Sequence, residues 1–328
     1  MTLRLTIHRA AWQAHVHAAA QAYGPALVPV VKGNGYGFGR PLLHAAAASP
    51  SLSLPPEVCV GTVHELADVP PKVHPTVLTP TLATPHDRPD ATLTVGSEAH
   101  VAALSAGGWR GRVIVKLASS MRRYGADAQA LPAVCAAAVA AGLEPVAYAL
   151  HLPLAGTDAD RTAEIEAWLL HLPPDGLPLW LSHLRPAAFH ALVAAHPERP
   201  LRIRIGTGLW HGSPRGPFLH LAANVVDARP IAEGEPAGYR LTPAPATGTL
   251  IAVGVGSTHG VSPLEHDDPT RRSPFHFAHQ RLPLLERPHM HTTLCVVPAG
   301  QPCPTVGDWV DVQQPLITVH PDELDWQP

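Results

Sequence analysis

Four cysteines, Cys59, Cys135, Cys295 and Cys303, are all the thiols in 328 residues, and none forms a C-x-x-C pair, so neither a disulfide frame nor a zinc knuckle is indicated. H-E-x-x-H is absent as well, although 22 histidines are scattered along the chain. The densest patch, HDDPTRRSPFHFAHQ at 266–280, reads as a solvated loop rather than a metal site. Charged residues make up only 15% of the chain, with a formal net charge of -3 and no basic cluster, which leaves no footprint for nucleic acid or a membrane surface. Long apolar runs of about eighteen residues are also missing. The opening stretch MTLRLTIHRAAWQAHVHAAAQAYG lacks the basic, apolar and small-residue regions of a secretory signal, so a cytoplasmic location is expected. The expected partner is a small molecule.

What is present is core material and repetition. Hydrophobic residues reach 46%, and the length suits one barrel of about 250 residues with a small second domain. Eight short β-branched or apolar runs follow one another: ALVPVVK (26–32), VCVGTV (58–63), HPTVLTP (74–80), TLTVGS (92–97), RVIVKL (112–117), PVAYALHL (145–152), LPLWLSHL (177–184) and LRIRIG (201–206). Between most of them lie segments with helical spacing, such as SEAHVAALSAG, AQALPAVCAAAVAAG, DADRTAEIEAWLLHL and RPAAFHALVAAHP, several closed by Gly or Pro. This alternation predicts an α/β fold, a parallel (β/α)8 barrel over residues 1–227. Further on, TLIAVGVGS, HTTLCVVPAG and DWVDVQQPLITV alternate as antiparallel strands do, which predicts a smaller, mostly antiparallel β domain over 228–328.

One stretch carries chemistry. In ALVPVVKGNGYGFG, Lys32 ends the first barrel strand and glycines stand at 33, 35, 37 and 39. Functional groups of such barrels gather where strands end, and an amine set among apolar neighbours has a lowered pKa suited to Schiff-base chemistry. A loop nearly without side chains lets backbone and the ring of Tyr36 approach a bulky cofactor closely. The spacing fits neither G-x-G-x-x-G nor a G-K-[ST] phosphate cradle.

VVKGNGYGFG resembles the cofactor-lysine motif of the alanine racemase family, enzymes with a barrel and a carboxy-terminal β domain that use pyridoxal 5'-phosphate. The resemblance implies that Lys32 bears the cofactor and Tyr36 bonds its phosphate. VKLASSMRRYGA is similar to the family's segment in which a lysine is followed by an arginine seven residues on. Arg123 would then face the cofactor's phenolic oxygen, with Lys116, carbamylated in many members, supporting it. YALHLPLAG puts His151 near the cofactor ring, and WLSHL puts Ser182 at the phosphate, with His183 competing. RIRIGTGLWHG resembles the Arg-x-Gly segment, which implies Arg204 at the pyridine nitrogen and Gly206 and Thr207 at the phosphate; Arg202 shares that side of the strand. A guanidinium does not readily give up a proton, so a ring nitrogen facing it stays unprotonated and the ring is a weaker electron sink.

The carboxy-terminal part departs from the pattern. Racemisation needs an acid/base group on each face of the planar carbon, and the resemblance assigns Lys32 to one face and a tyrosine from the partner subunit, within Gly-Tyr-x-Asp-Gly, to the other. IAVGVGSTHG instead has Ser257 and His259 at the tyrosine and aspartate positions, and HMHTTLCV keeps Met290 but has His291 for an aspartate. His259, directly or through Ser257 or water, is the expected second proton carrier. The implied activity is amino-acid racemisation or epimerisation by a homodimer with shared sites. The alternative is a pyridoxal-phosphate binding protein of this fold without racemase activity, used in cofactor handling, regulation or partner binding.

Overall fold

The computed structural model describes residues 2–212, 214–264 and 272–328. Residues 265–271, which take in the first six residues of the dense patch noted above, lie outside the described residues. Two compact units divide the chain: His15–Gly35 with Arg40–Gly212, and Met1–Ala14 with Tyr36–Gly39 and Ser213–Pro328.

The first unit is the barrel. Its strands are β2 (Leu27–Pro29), β3 (Glu57–Val60), β4 (His74–Val77), β5 (Leu93–Val95), β6 (Arg112–Lys116), β7 (Glu144–Ala149), β8 (Leu179–Ser182) and β9 (Leu201–Ile205); the label β1 is kept for Leu3–His8 of the other unit. Six of them form a parallel sheet in the order β2-β9-β8-β7-β6-β5, and β3 pairs with β4 in parallel. Parallel bridges Val30 to Cys59 and Thr76 to Thr92 join the two pieces into a closed ring. All eight expected strands are therefore present. Strand alternation turns Val28, Val30, Cys59, Ile114, Ala147, Ala149 and Trp180 into one buried interior cluster, so the barrel is a packed core and not a pore.

The helices are α1 (Arg9–Tyr23, shared by the two units), α2 (Arg40–Ala47), α3 (Glu98–Ala106), α4 (Leu131–Ala140), α5 (Asp158–Leu169), α6 (Pro186–Ala195) and the single turn α7 (Thr207–Trp210). Ser97 caps α3, and a reciprocal Thr157–Asp160 capping box starts α5. Two links lack an α-helix: β3 leads into β4 through the 3-10 segment Val63–Asp68, and β4 into β5 through the irregular stretch 78–92. Pro70, Pro71, Pro80, Pro85 and Pro89 account for this, since each removes a backbone donor that a helix needs.

The second unit is built on β10 (Leu219–Ile231), a 13-residue strand. With β1 (Leu3–His8), β11 (Pro236–Ala237), β12 (Thr242–Pro243), β13 (Gly248–Val253), β14 (Phe275–Phe277), β15 (Gln280–Arg281), β16 (Thr293–Pro298), β17 (Trp309–Val312) and β18 (Glu323–Gln327) it completes the set. Pairing is antiparallel except between β1 and β18. The boundary expected at 227/228 falls inside β10, and the amino-terminal strand belongs to this unit. The signal for β1 was in the sequence: Leu3, Leu5 and Ile7 alternate with polar residues, and all three are fully buried. The described part of the 266–280 patch forms the β14–β15 hairpin rather than a loop throughout.

Candidate active site

Lys32 lies just past the carboxy end of β2, and the loop after it turns because its glycines take backbone angles that other residues avoid. Gly33, Gly35, Gly37 and Gly39 all have positive φ, and Tyr36 joins them at +56°. At Gly35 a β-carbon would also lie 2.4 Å from the Arg40 nitrogen. Conformation, more than access for a cofactor, dictates these glycines. Glu65, which sequence reasoning missed, fixes the loop's start: its carboxylate accepts from the Gly33 N–H at 3.1 Å and the Gly61 N–H at 2.7 Å. Lys32 keeps an exposed surface, yet its amine is largely enclosed by protein, and this desolvation, followed by the nearby charges of Arg123 and Arg204, lowers its pKa below that of free lysine.

Parallel strands deliver further groups to the same end of the barrel. Lys116 closes β6, is 4% exposed, and donates to the Ala149 carbonyl at 3.3 Å. Burial and then the charges of Arg204 and Arg123 push its pKa well below the ordinary lysine value. Arg204, on β9, is buried with no carboxylate on it among the described residues; it donates to the Leu150 carbonyl at 2.6 Å, the Leu181 carbonyl at 3.2 Å and the Trp180 carbonyl at 3.3 Å. Three carbonyls hold the guanidinium by dipoles and leave its charge uncancelled. Arg202 sits near the start of β9 and pairs with Glu57 at 2.5 Å, so it is committed at the other end of the strand.

Arg123 is exposed and packs over the Tyr124 ring at 4.6 Å. Its segment is fixed by the backbone: Ala126 N–H donates to the Lys116 carbonyl and Ala118 N–H to the Ala126 carbonyl, both at 2.8 Å. Only glycine fits at Gly125, where φ is +132° and a β-carbon would meet the Leu117 carbonyl carbon at 2.5 Å. His151 and His183 pack with their ring centroids 4.9 Å apart and their planes inclined by 60°. Burial, then neighbouring positive charge, lowers the His151 pKa to about 2 and the His183 pKa to about 4, so both rings are neutral. Ser182, buried at the end of β8, accepts from the Leu152 N–H at 3.1 Å and keeps its own proton to donate. Gly206 and Thr207 open the α7 turn, whose carbonyl at Gly206 accepts from Leu209 and Trp210.

Tyr36 is 5% exposed and belongs, with Gly37 to Gly39, to the β unit by compactness. In that unit Ser257 and Met290 come together: Ser257 N–H donates to the His289 carbonyl at 2.8 Å, and Thr258 N–H to the Met290 carbonyl at 3.0 Å. Ser257 is exposed and Met290 is 64% exposed. His259 is buried, and both of its ring nitrogens are engaged inside the unit. Gly256 N–H donates to Nδ1 at 3.1 Å, which puts the ring proton on Nε2, 3.3 Å from Asp322 Oδ2. His291, by contrast, is exposed, with Nδ1 3.0 Å from the Thr258 hydroxyl.

The donor set at the barrel mouth suits a phosphorylated pyridine aldehyde. Lys32, Lys116, Arg123 and Arg204 are four basic side chains, and among the described residues Glu65 acts on Lys32 and Glu164 on Lys116 as the opposing carboxylates. Such a mouth favours a doubly negative phosphate ester, and the amine with lowered pKa suits the aldehyde. Among the described residues no group of acidic, histidine or cysteine side chains is placed to hold a metal ion.

A parallel eight-stranded barrel with these groups at its carboxy-terminal mouth, combined with an antiparallel β unit, defines the fold of the type III class of pyridoxal-phosphate proteins. The profile of the family described as "Alanine racemase, N-terminal domain" matches residues 7–173, half of the chain, and the chain belongs to that family. Solved structures agree on the fold. Similar to it are the biosynthetic alanine racemase of Pseudomonas aeruginosa (20% identity, 100% of this chain and 99% of that one, TM-score 0.70) and the alanine racemase of Bartonella henselae with covalently bound pyridoxal phosphate (20%, 96% and 91%, 0.69). The alanine racemase of Acinetobacter baumannii is also similar (17% identity, 99% of each chain, TM-score 0.67). No curated protein matches the chain by sequence.

Proposed function

We propose that the protein is a pyridoxal-5'-phosphate-dependent racemase or epimerase of a small amino acid, working as a homodimer whose sites are shared between subunits. The observation that carries this reading is Arg204: a buried guanidinium held by three carbonyls and no carboxylate, at the same strand ends as an amine of lowered pKa.

Pyridoxal 5'-phosphate, when bound, withdraws electrons from the substrate's α-carbon and makes its proton acidic. Lys32 would hold the cofactor covalently and then take or return the α-proton on one face. Arg204 would donate to the pyridine nitrogen without surrendering its proton, which tempers the electron withdrawal and favours reprotonation at the α-carbon over transamination. Ser182, Gly206, Thr207 and Tyr36 would hold the phosphate, and Arg123, supported by Lys116, the phenolic oxygen. Neutral His151 would lie beside the ring. On the second face Ser257, Met290 and His259 of the partner subunit would complete the site; because both His259 ring nitrogens are engaged within their own unit, one of those contacts has to open before His259 can pass a proton through Ser257 or water.

The second reading, a pyridoxal-phosphate binding protein without racemase activity, draws on that same engagement of His259 and on a serine hydroxyl's weakness as an acid or base near neutral pH. Incubating the cofactor-loaded protein in deuterium oxide with D-alanine and with L-alanine separates the two. Deuterium entering the α-carbon from both enantiomers supports racemisation; a spectral change on mixing without α-deuterium supports the binder.

A further inference from the structure

On the proposed second face, the two residues at the expected positions are poorly placed to carry a proton: the Ser257 hydroxyl is a weak acid and base, and both His259 ring nitrogens are engaged. A third group stands in the same loops. β13 and β16 pair antiparallel as far as Val253 and Thr293, so the loop that follows β13 and the loop that precedes β16 leave the sheet side by side. Ser257 and Thr258 donate their N–H groups to the His289 and Met290 carbonyls, which ties the two loops together, and a β-carbon at Gly256 would run into the His289 carbonyl oxygen. This close approach brings Ser257, Thr258, Met290 and His291, all four exposed, to one edge of the unit.

The hydrogen bonds of Thr258 decide the tautomer of His291. The Thr258 hydroxyl has a single proton and donates it to the Met290 carbonyl at 2.6 Å. Its oxygen therefore accepts from His291 Nδ1 at 3.0 Å, so the neutral ring carries its proton on Nδ1 and leaves the Nε2 lone pair bare. Among the described residues no group bonds that Nε2. The neighbouring histidines are committed elsewhere: His259, whose ring centroid lies 5.9 Å from that of His291, inside the unit, and His289 through Nε2 to the Glu286 carboxylate. One exposed imidazole, oriented by a hydroxyl and with a free acceptor nitrogen, has the arrangement of a general base.

We propose that His291 of the partner subunit, rather than His259, is the second proton carrier, with Thr258 as its positioning residue; this rests on the racemase reading and its shared sites. In one direction the neutral Lys32 amine takes the substrate's α-proton, and His291, as imidazolium, gives its Nε2 proton to the opposite face of the carbon. Lys32 ends as ammonium and His291 as the neutral ring. The return reaction reverses both transfers, with His291 Nε2 taking the α-proton, and between turnovers each group exchanges its proton with solvent.

Two measurements test it. On the cofactor-free full chain, nitrogen-15 spectra of the histidine rings read the tautomer, with the His291 signals assigned by their loss in His291→Gln. A protonated Nδ1 and a bare Nε2 that become a mixture of tautomers in Thr258→Val are expected; a ring protonated on Nε2, or one unaffected by Thr258→Val, overturns the proposal. The cofactor-loaded protein is then followed in deuterium oxide with each enantiomer of alanine. In His291→Gln, an exposed position whose substitution leaves the core untouched, α-deuterium incorporation should stay near native from the enantiomer that Lys32 deprotonates and fall by about a hundredfold or more from the other. Equal loss from both, or loss from neither, overturns the proposal while the racemase reading stands, because the native chain still exchanges both. A native chain that exchanges neither removes the racemase reading itself and this inference with it.

Discussion

Lys32 owes its reactivity to its neighbours, and so its pH behaviour is predictable. Burial is the leading cause of its lowered pKa, and Arg123 is the next. Replacing Arg123 with Ala removes one positive charge, so the pH at which the amine becomes reactive should rise. The measurement is the pH profile of borohydride-trapped pyridoxal phosphate on Lys32, which should move to higher pH in Arg123→Ala; an unmoved or lowered profile contradicts the electrostatic account. Lys116 makes a stability prediction. Its folded-state pKa is well below 10.5, so across that interval the unfolded chain binds a proton that the folded chain does not, and stability rises with pH. Denaturant titrations from neutral to alkaline pH should show the native protein gaining on Lys116→Met by no more than about 1.4 kcal/mol per pH unit. A gap that is flat or shrinks with pH would mean that the folded-state amine is not depressed. At this scale the sequence was informative about Lys32, Lys116 and Arg204, whose positions at strand ends follow from alternation. Glu65 was not legible, because its contacts to the Gly33 and Gly61 amides depend on tertiary placement.

Elements position these groups, and the turn after β6 shows how tightly. Gly125 brings the chain back against Leu117 so that Ala126 can bond to both flanking backbone groups of β6, with Arg123 two residues before it. A methyl group there meets backbone on one side and an unfavourable φ on the other. Gly125→Ala should therefore cost roughly 2–4 kcal/mol in thermal or denaturant unfolding and lower the affinity for pyridoxal phosphate. Native-like stability in this variant would show that the turn is not under steric control. The eight strands and four of the helices were legible because alternation, caps and Gly or Pro stops are local signals. The helix-free links between β3, β4 and β5 were less so, since their strands read normally and only the prolines between them withhold a helix.

Taken as a whole, the molecule divides otherwise than along the sequence. β1 pairs with β10 and β18, so the β unit takes up both ends of the chain, and β10 continues through the point where the texture of the sequence changes. Pairings between residues more than two hundred positions apart leave no local trace, which is why this was not legible. The partner-shared site predicts that sedimentation in the conditions of the exchange assay gives the mass of two chains; a single-chain mass with full exchange would rule sharing out. The account's central claim is covalent capture of pyridoxal phosphate by one amine at the barrel mouth. The chain makes the test clean, because Lys32, Lys72 and Lys116 are its only lysines. After incubation with pyridoxal phosphate and borohydride reduction, peptide mass spectrometry should find the adduct on Lys32 and none in Lys32→Ala, whereas an unmodified Lys32 with the adduct absent or on Lys72 would contradict the account.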